Sequence, residues 1–209
     1  MKINLLLAAA LAALFIWNPY PFQLLELKTL DSLIMSRDEV QDEMILLVDI
    51  DEDAVEHFGG YPLSRDVYAH LLTVTQGVPG ITVAFPDKDI HGFDNALQTT
   101  LDNYQTVLSF IGTTQTSEQG PHVGTAQIGN GNPTDWLFNY PGILRSEPDA
   151  RGIGLISTAP ELDGVVRRVP LVVQSQEKLY PSFSLEMLRL AVFDPSYQIK
   201  TNETGVEWV

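Results

Sequence analysis

Four carboxylates crowd residues 49–53, as Asp49, Asp51, Glu52 and Asp53, directly after the apolar run Met44–Val48. Acids in that place could do chemistry, because open parallel sheets bind ligands in the crevice outside the carboxyl ends of their strands. Seven acids lie between Asp42 and Glu56 with no Lys or Arg among them. Packed together they repel, so some must be exposed, protonated or matched by a cation. Two readings stand side by side: a solvated acidic loop, or a cation or ligand contact led by Asp49, Asp51 and Glu52.

A strand followed by Asp-x-Asp also resembles the haloacid-dehalogenase-like hydrolases. That likeness implies Asp49 as nucleophile and Asp51 as general acid of a phosphatase, with Thr113 as a hydroxyl and Lys178 as a cation. Asp53 stands where Thr or Val is usual, and no acidic pair follows a later strand to hold Mg²⁺. The second stretch with chemical potential is Asp163-Gly164-Val165-Val166-Arg167-Arg168-Val169-Pro170. Adjacent arginines on a strand point to opposite faces. Arg167 or Arg168 could thus join a structural ion pair shaping a hairpin, or form an anion clamp with the forked geometry that Lys lacks.

Composition removes whole classes of function. The formal net charge of −15 over 209 residues repels nucleic acid phosphates, and no basic cluster offsets it. Without a single cysteine there is no disulfide framework, zinc ribbon or thiol catalysis. His57, His70, His91 and His122 stand apart, which gives no histidine-based metal site. Gly152-Ile153-Gly154 lacks the last glycine of a dinucleotide loop and precedes a strand, and no GxSxG or Walker-type loop is present. No cofactor is expected.

The elements that must position these residues follow from periodicity. Leu24, Leu27, Leu30 and Ile34 recur at helical spacing over residues 22–37. Met44–Ile50 reads as a buried strand. Ser64 can cap a helix from Arg65 to about Thr75, with Val67, Leu71 and Leu72 on one face and Gly77 as a stop. Ile81–Phe85 reads as a strand. Asp94 can cap a second helix that aligns Leu97, Leu101 and Tyr104, and Thr106–Ile111 forms a third strand. Strand, helix, strand, helix, strand is the order of right-handed parallel crossovers.

Residues 112–151 read as a long excursion with one short strand around Thr125–Ile128. Ile153–Thr158 and the run after Gly164 are strands, Pro170 marking an edge or bulge. Ser182 caps a last helix, Phe183–Val192. Residues 204–209 look like a turn entering a strand, which suggests that the natural polypeptide continues. The expected fold is α/β: a mostly parallel sheet with flanking helices, an antiparallel hairpin in the second half, and an N-terminal transmembrane helix in front.

That leading helix rests on Ile3–Trp17, where only Asn4 is polar. Fifteen residues at 1.5 Å each reach roughly 22 Å, short of a full crossing. Trp17, Tyr20 and Phe22 extend it with side chains suited to the membrane interface. A cleaved signal peptide is the rival, but Ala8 and Ala10 lie inside the apolar run and Asn18-Pro19-Tyr20 is a poor cleavage site. An uncleaved anchor over residues 1–20 is favoured, with Lys2 inside and residues 21–209 outside the cytoplasm.

Several of these pieces, in this order, resemble the type 2 CHASE domains, extracellular sensing domains associated with cyclases and histidine kinases. They are LLELKTLD at 24–31, VDIDE at 48–52, Gly59-x-x-Pro62-x-x-Arg65, Asp163–Pro170 and the helix start Ser182–Leu185. Two aromatics of the family's Trp-Pro-Trp are replaced, as Tyr61-Pro62-Leu63. The family's Asp after the second strand is Pro86 here, with Asp87 and Asp89 displaced.

The resemblance implies a sensory domain in the inner membrane, facing the periplasm. It would receive an unknown small-molecule or envelope stimulus and act on a cyclase, histidine kinase or Ser/Thr kinase output. It implies no catalysis by the chain itself. Asp49, Asp51, Glu52, Arg65, Asp163, Arg167 and Arg168 are the candidate ligand-binding residues. A homodimer fits, because such outputs work in pairs. A secreted binding protein is the remaining alternative.

Overall fold

A computed structural model describes residues 15–38, 44–115, 125–129, 137–176, 178–202 and 205–209. Most of the proposed anchor, residues 1–14, lies outside these. Among the described residues no helix is long and apolar enough to cross a membrane. The chain divides into two compact units, one of residues 1–49 with 160–167 and one of residues 50–159 with 168–209.

The first unit contains helix α1 (Tyr20–Met35), whose start is set by Pro19, the residue just before its first turn. Leu24, Leu27, Leu30 and Asp31 form its half-buried stripe, while Leu25, Leu33, Ile34 and Met35 are exposed. Helical spacing thus located the helix and most of its inner face, but not Ile34. The buried strand expected at Met44–Ile50 is not formed. Residues 44–48 belong to no strand among the described residues and are 55–90% exposed. An apolar run has no intrinsic power to be a strand; it needs a partner to take its backbone bonds.

The second unit begins with a helix that periodicity missed, α2 (Glu52–His57). Helix α3 (Arg65–Val74) follows, then β1 (Gly80–Ile81), α4 (Asp94–Asn103) and β2 (Val107–Thr113). Beyond come β3 (Thr125–Gly129), β4 (Asn139–Tyr140), β5 (Gly142–Arg145) and β6 (Gly152–Leu155). The chain ends through the hairpin β7 (Val172–Ser175) and β8 (Lys178–Pro181), helix α5 (Phe183–Ala191), β9 (Tyr197–Asn202) and β10 (Gly205–Trp208).

Strand β2 is the axis of this unit. It pairs in parallel with β6 along 107–110, and with β1 at 107–108 before β5 takes over antiparallel along 110–113. Two further sheets replace the single one expected: β3-β9-β10 and β4-β7-β8, each with one parallel and one antiparallel pairing. The α/β class and the second-half hairpin stand, and the sheets mix both strand directions.

One core cluster joins Leu63, Tyr68 and Leu72 to Ile81, Phe85, Leu97, Leu101 and Leu108, so α3 and α4 cover one part of the sheet. A second gathers Phe110, Ile143, Ile153, Leu155, Val173, Tyr180 and Tyr197. Ser182 caps α5 as its sequence foretold, accepting from the Leu185 amide at 3.3 Å. Helix α5 lies so close on β6 that a Cβ at Gly154 would overlap the Phe183 backbone, and one at Gly152 would come within 2.5 Å of the Glu186 carboxylate.

Candidate functional site

The acidic loop resolves into helix capping. Asp51 sits at the N-cap of α2 and its Oδ1 accepts the Ala54 amide at 2.8 Å. Glu52 and Asp53 occupy the first turn, where the helix dipole favours negative charge. All are exposed, as is Asp49. No strand ends there, so the crevice that would have made Asp49 and Asp51 a nucleophile and acid is not built. Among the described residues no group of three or more metal-ligating side chains converges. The hydrolase reading loses its geometry.

Arg65, by contrast, is buried at the start of α3. Its Nη2 donates to the Asp87 carbonyl at 2.9 Å, and its guanidinium lies 4.1 Å above the centre of the Phe85 ring. Its Nε stands 3.7 Å from Asp94 Oδ1. Its own amide donates to Asp89 Oδ2 at 3.4 Å, and the Phe93 amide reaches the same oxygen at 3.0 Å. Asp94 accepts the Asp89 amide through both oxygens, at 3.0 and 3.1 Å, rather than capping α4. Burial acts to raise the Asp89 carboxyl, yet the amides of Phe93, His91 and Arg65 outweigh it and hold it below the usual value. Arg65 therefore ties the start of α3 to the loop before α4.

The other arginine site lies wholly in the first unit. The run after Gly164 was expected to be a strand, but residues 163–170 form none, and Val165, Val166, Val169 and Leu171 are exposed. A tight turn forms instead: the Gly164 amide donates to Glu161 at 2.9 Å, the Glu161 amide to Val165 at 3.0 Å, and the Val165 amide to Asp163 Oδ1 at 3.2 Å. Pro170 has no amide to give to a ladder. The hairpin begins later, at Val172.

This turn places Arg167 among three carboxylates. Its Nε and Nη2 grip Asp31 of α1 at 2.6 and 2.8 Å, and its Nη1 and Nη2 grip Asp163 at 2.9 and 2.7 Å. Nη1 also donates to Glu161 Oε2 at 3.2 Å. A guanidinium owns five N–H donors, and these five bonds use them all. The side chain is 4% exposed. Hydrogen bonds from Arg167 hold Asp31 below its ordinary value despite partial desolvation, and lower Asp163 still further. The same bonds, first to Asp31 and then to Asp163, raise the guanidinium. Chemically the arrangement is a filled clasp: no donor remains for an incoming anion.

Of the seven candidates, then, only Asp163 and Arg167 are brought together. Asp49, Asp51 and Glu52 are exposed around α2, Arg65 anchors a separate cluster, and Arg168 is exposed outside any strand. Reasoning from spacing missed Asp31 and Glu161 as partners. Asp31 continues the Leu24–Leu27 stripe of α1, an inward polar residue on an apolar face, and that was its signal.

The CHASE2 domain family model matches residues 6–206, almost the whole chain. No curated protein and no solved structure matches it.

Proposed function

The chain belongs to the CHASE2 domain family, a family of extracellular sensory domains, and from that membership we propose how it works: as the stimulus-receiving part of a transmembrane signalling protein. Residues 1–20 would hold it at the inner membrane with residues 21–209 on the periplasmic side. The output would be a cyclase, histidine kinase or Ser/Thr kinase. The observation that carries the transmission step is the Arg167 clasp. It binds α1, the helix that follows the apolar leader, to the turn that runs directly through Arg168 into the strands of the second unit. A stimulus that changes the second unit can thus bias the clasp, provided it binds the clasped and unclasped arrangements with different affinity.

Arg167→Ala in the native polypeptide tests this. It should uncouple output from stimulus and speed amide exchange in both α1 and residues 160–167. Normal stimulus response with fast exchange would remove the clasp from the signalling path. A periplasm-active reporter fused after Val209 tests the orientation; activity only with a cytoplasmic reporter would overturn it.

A further inference from the structure

Helix α1 has two faces, and the clasp accounts for only one. Its inner stripe of Leu24, Leu27, Leu30 and Asp31 is half-buried and ends in the grip of Arg167. A step of about 100° per residue gathers Phe22, Leu25, Thr29, Leu33 and Ser36 on the opposite side. All five are exposed, and no residue of the helix is fully buried. Their spacing, by threes and fours throughout, traces the seam of paired helices.

Nothing in this outer stripe resists burial. It holds no charge, and its hydroxyls are already used within the helix. Thr29 Oγ1 donates to the Leu25 carbonyl at 2.7 Å, and Ser36 Oγ to the Leu33 carbonyl at 2.8 Å. A dry neighbour would therefore leave no hydroxyl proton unpaired, the usual cost of burying such a group.

The flanks say which neighbour. Glu26 borders the stripe on one side and Lys28 on the other, and both are exposed. When two copies of one helix lie side by side in parallel, each flank meets the opposite flank of the other copy. Acid then faces base, the arrangement that sets orientation in paired helices. In an antiparallel pair each flank meets its own kind, and like charges repel.

Area sets the strength. Phe22, Leu25 and Leu33 are 51%, 64% and 62% exposed. Together they offer roughly 300 Å², well short of the ~800 Å² that each partner of a stable interface contributes. Such a pair is weak in free solution and becomes firm when both copies are held on one surface, which raises their effective concentration.

We propose that this outer stripe is where two copies of the chain pair, α1 alongside α1 in parallel. The pairing stands on α1 alone; the shared membrane that strengthens it rests on the sensory reading above.

Because the chain has no cysteine, a single introduced thiol reports its neighbour. Leu25→Cys and Leu33→Cys are made in the whole chain, reconstituted in phosphatidylcholine vesicles. Each should give a disulfide-linked dimer under mild oxidation, about tenfold faster than Ile34→Cys, which is exposed off the stripe. Equal rates at the three positions mean random collision and overturn the proposal, as does the absence of linked dimer from all. Linkage only when Leu25→Cys and Leu33→Cys chains are mixed means an antiparallel pair and overturns it too. Adding Leu25→Lys to Leu33→Cys sets like charges together and should slow linkage with the far-UV helix signal unchanged; unchanged linkage overturns the proposal. An environment-sensitive dye on Leu25→Cys that shifts to the blue on vesicles, with no linked dimer, assigns the stripe to lipid and overturns it. Should the chain not enter vesicles, the anchored reading falls, and the same position dependence in concentrated solution decides the pairing.

Discussion

Arg65→Ala is the perturbation whose size can be worked from contacts. Three interactions vanish together. The charged hydrogen bond from Nη2 to the Asp87 carbonyl contributes roughly 1.5–3 kcal/mol. The guanidinium stacked on Phe85 adds about 0.5–2 kcal/mol. The contact with Asp94 at 3.7 Å adds little, since that carboxylate is 37% exposed. Loss of about 3–4 kcal/mol is expected, in line with the roughly 3–5 kcal/mol that follows removal of one partner from a buried charge cluster. For a chain of this size each kcal/mol moves the melting temperature by about 2–4 °C, so the drop should be about 6–16 °C. Arg65→Lys keeps the charge but loses the flat face and the fork, and should fall between. Differential scanning calorimetry of the three proteins reads this directly. A drop below about 2 °C for Arg65→Ala would show that Arg65 is bound elsewhere in solution, and the tie between α3 and the loop before α4 would be wrong.

Acid should open the clasp selectively. The folded-state values of Asp31 and Asp163 are depressed, so the stability they contribute is complete above the unfolded value near pH 4 and is lost as pH falls through the lower folded values. Amide exchange in α1 should rise in that window, and Arg167→Ala should remove the rise; an unchanged acid profile in the variant would refute the assignment. Gly154→Ala forces a Cβ into the Phe183 backbone and should cost about 3 kcal/mol or more by overpacking. Urea unfolding checks it, and a midpoint within error of the parent would mean that α5 does not lie on β6 as described.

Local signals were legible where local chemistry decides. Ser182 announced its cap and helix, Leu97 and Leu101 announced the buried face of α4, and the fully buried Val107–Phe110 run announced the central strand. Signals failed where a distant partner decides. Met44–Val48 has the composition of a strand but belongs to no ladder among the described residues. The valines of 165–169 read as a strand, yet the turn at Gly164 and the carboxylates around Arg167 fix that backbone instead. β9 was legible but passed over: Tyr197, Ile199 and Thr201 are buried and Gln198 and Lys200 exposed, the period of two that marks a half-buried strand.

The candidate site divided in the same way. Asp163 and Arg167, four residues apart, were visible as a motif. Asp31, 136 residues from Arg167, was visible only through its place on a helix stripe. The crowd of acids at 49–53 drew attention by number, yet a short helix and its cap account for it.

The grip on Asp31 is two-pronged, and that constrains twist as well as distance. Each residue step around an α-helix turns the side chain by about 100° while advancing about 1.5 Å. A small piston stroke of α1 would tilt the two bonds a little; a turn of the helix about its own axis would carry the carboxylate out of the guanidinium plane and sever both at once. The joint is accordingly stiff against torsion, so that rotary motion of α1 is what it would feel most sharply.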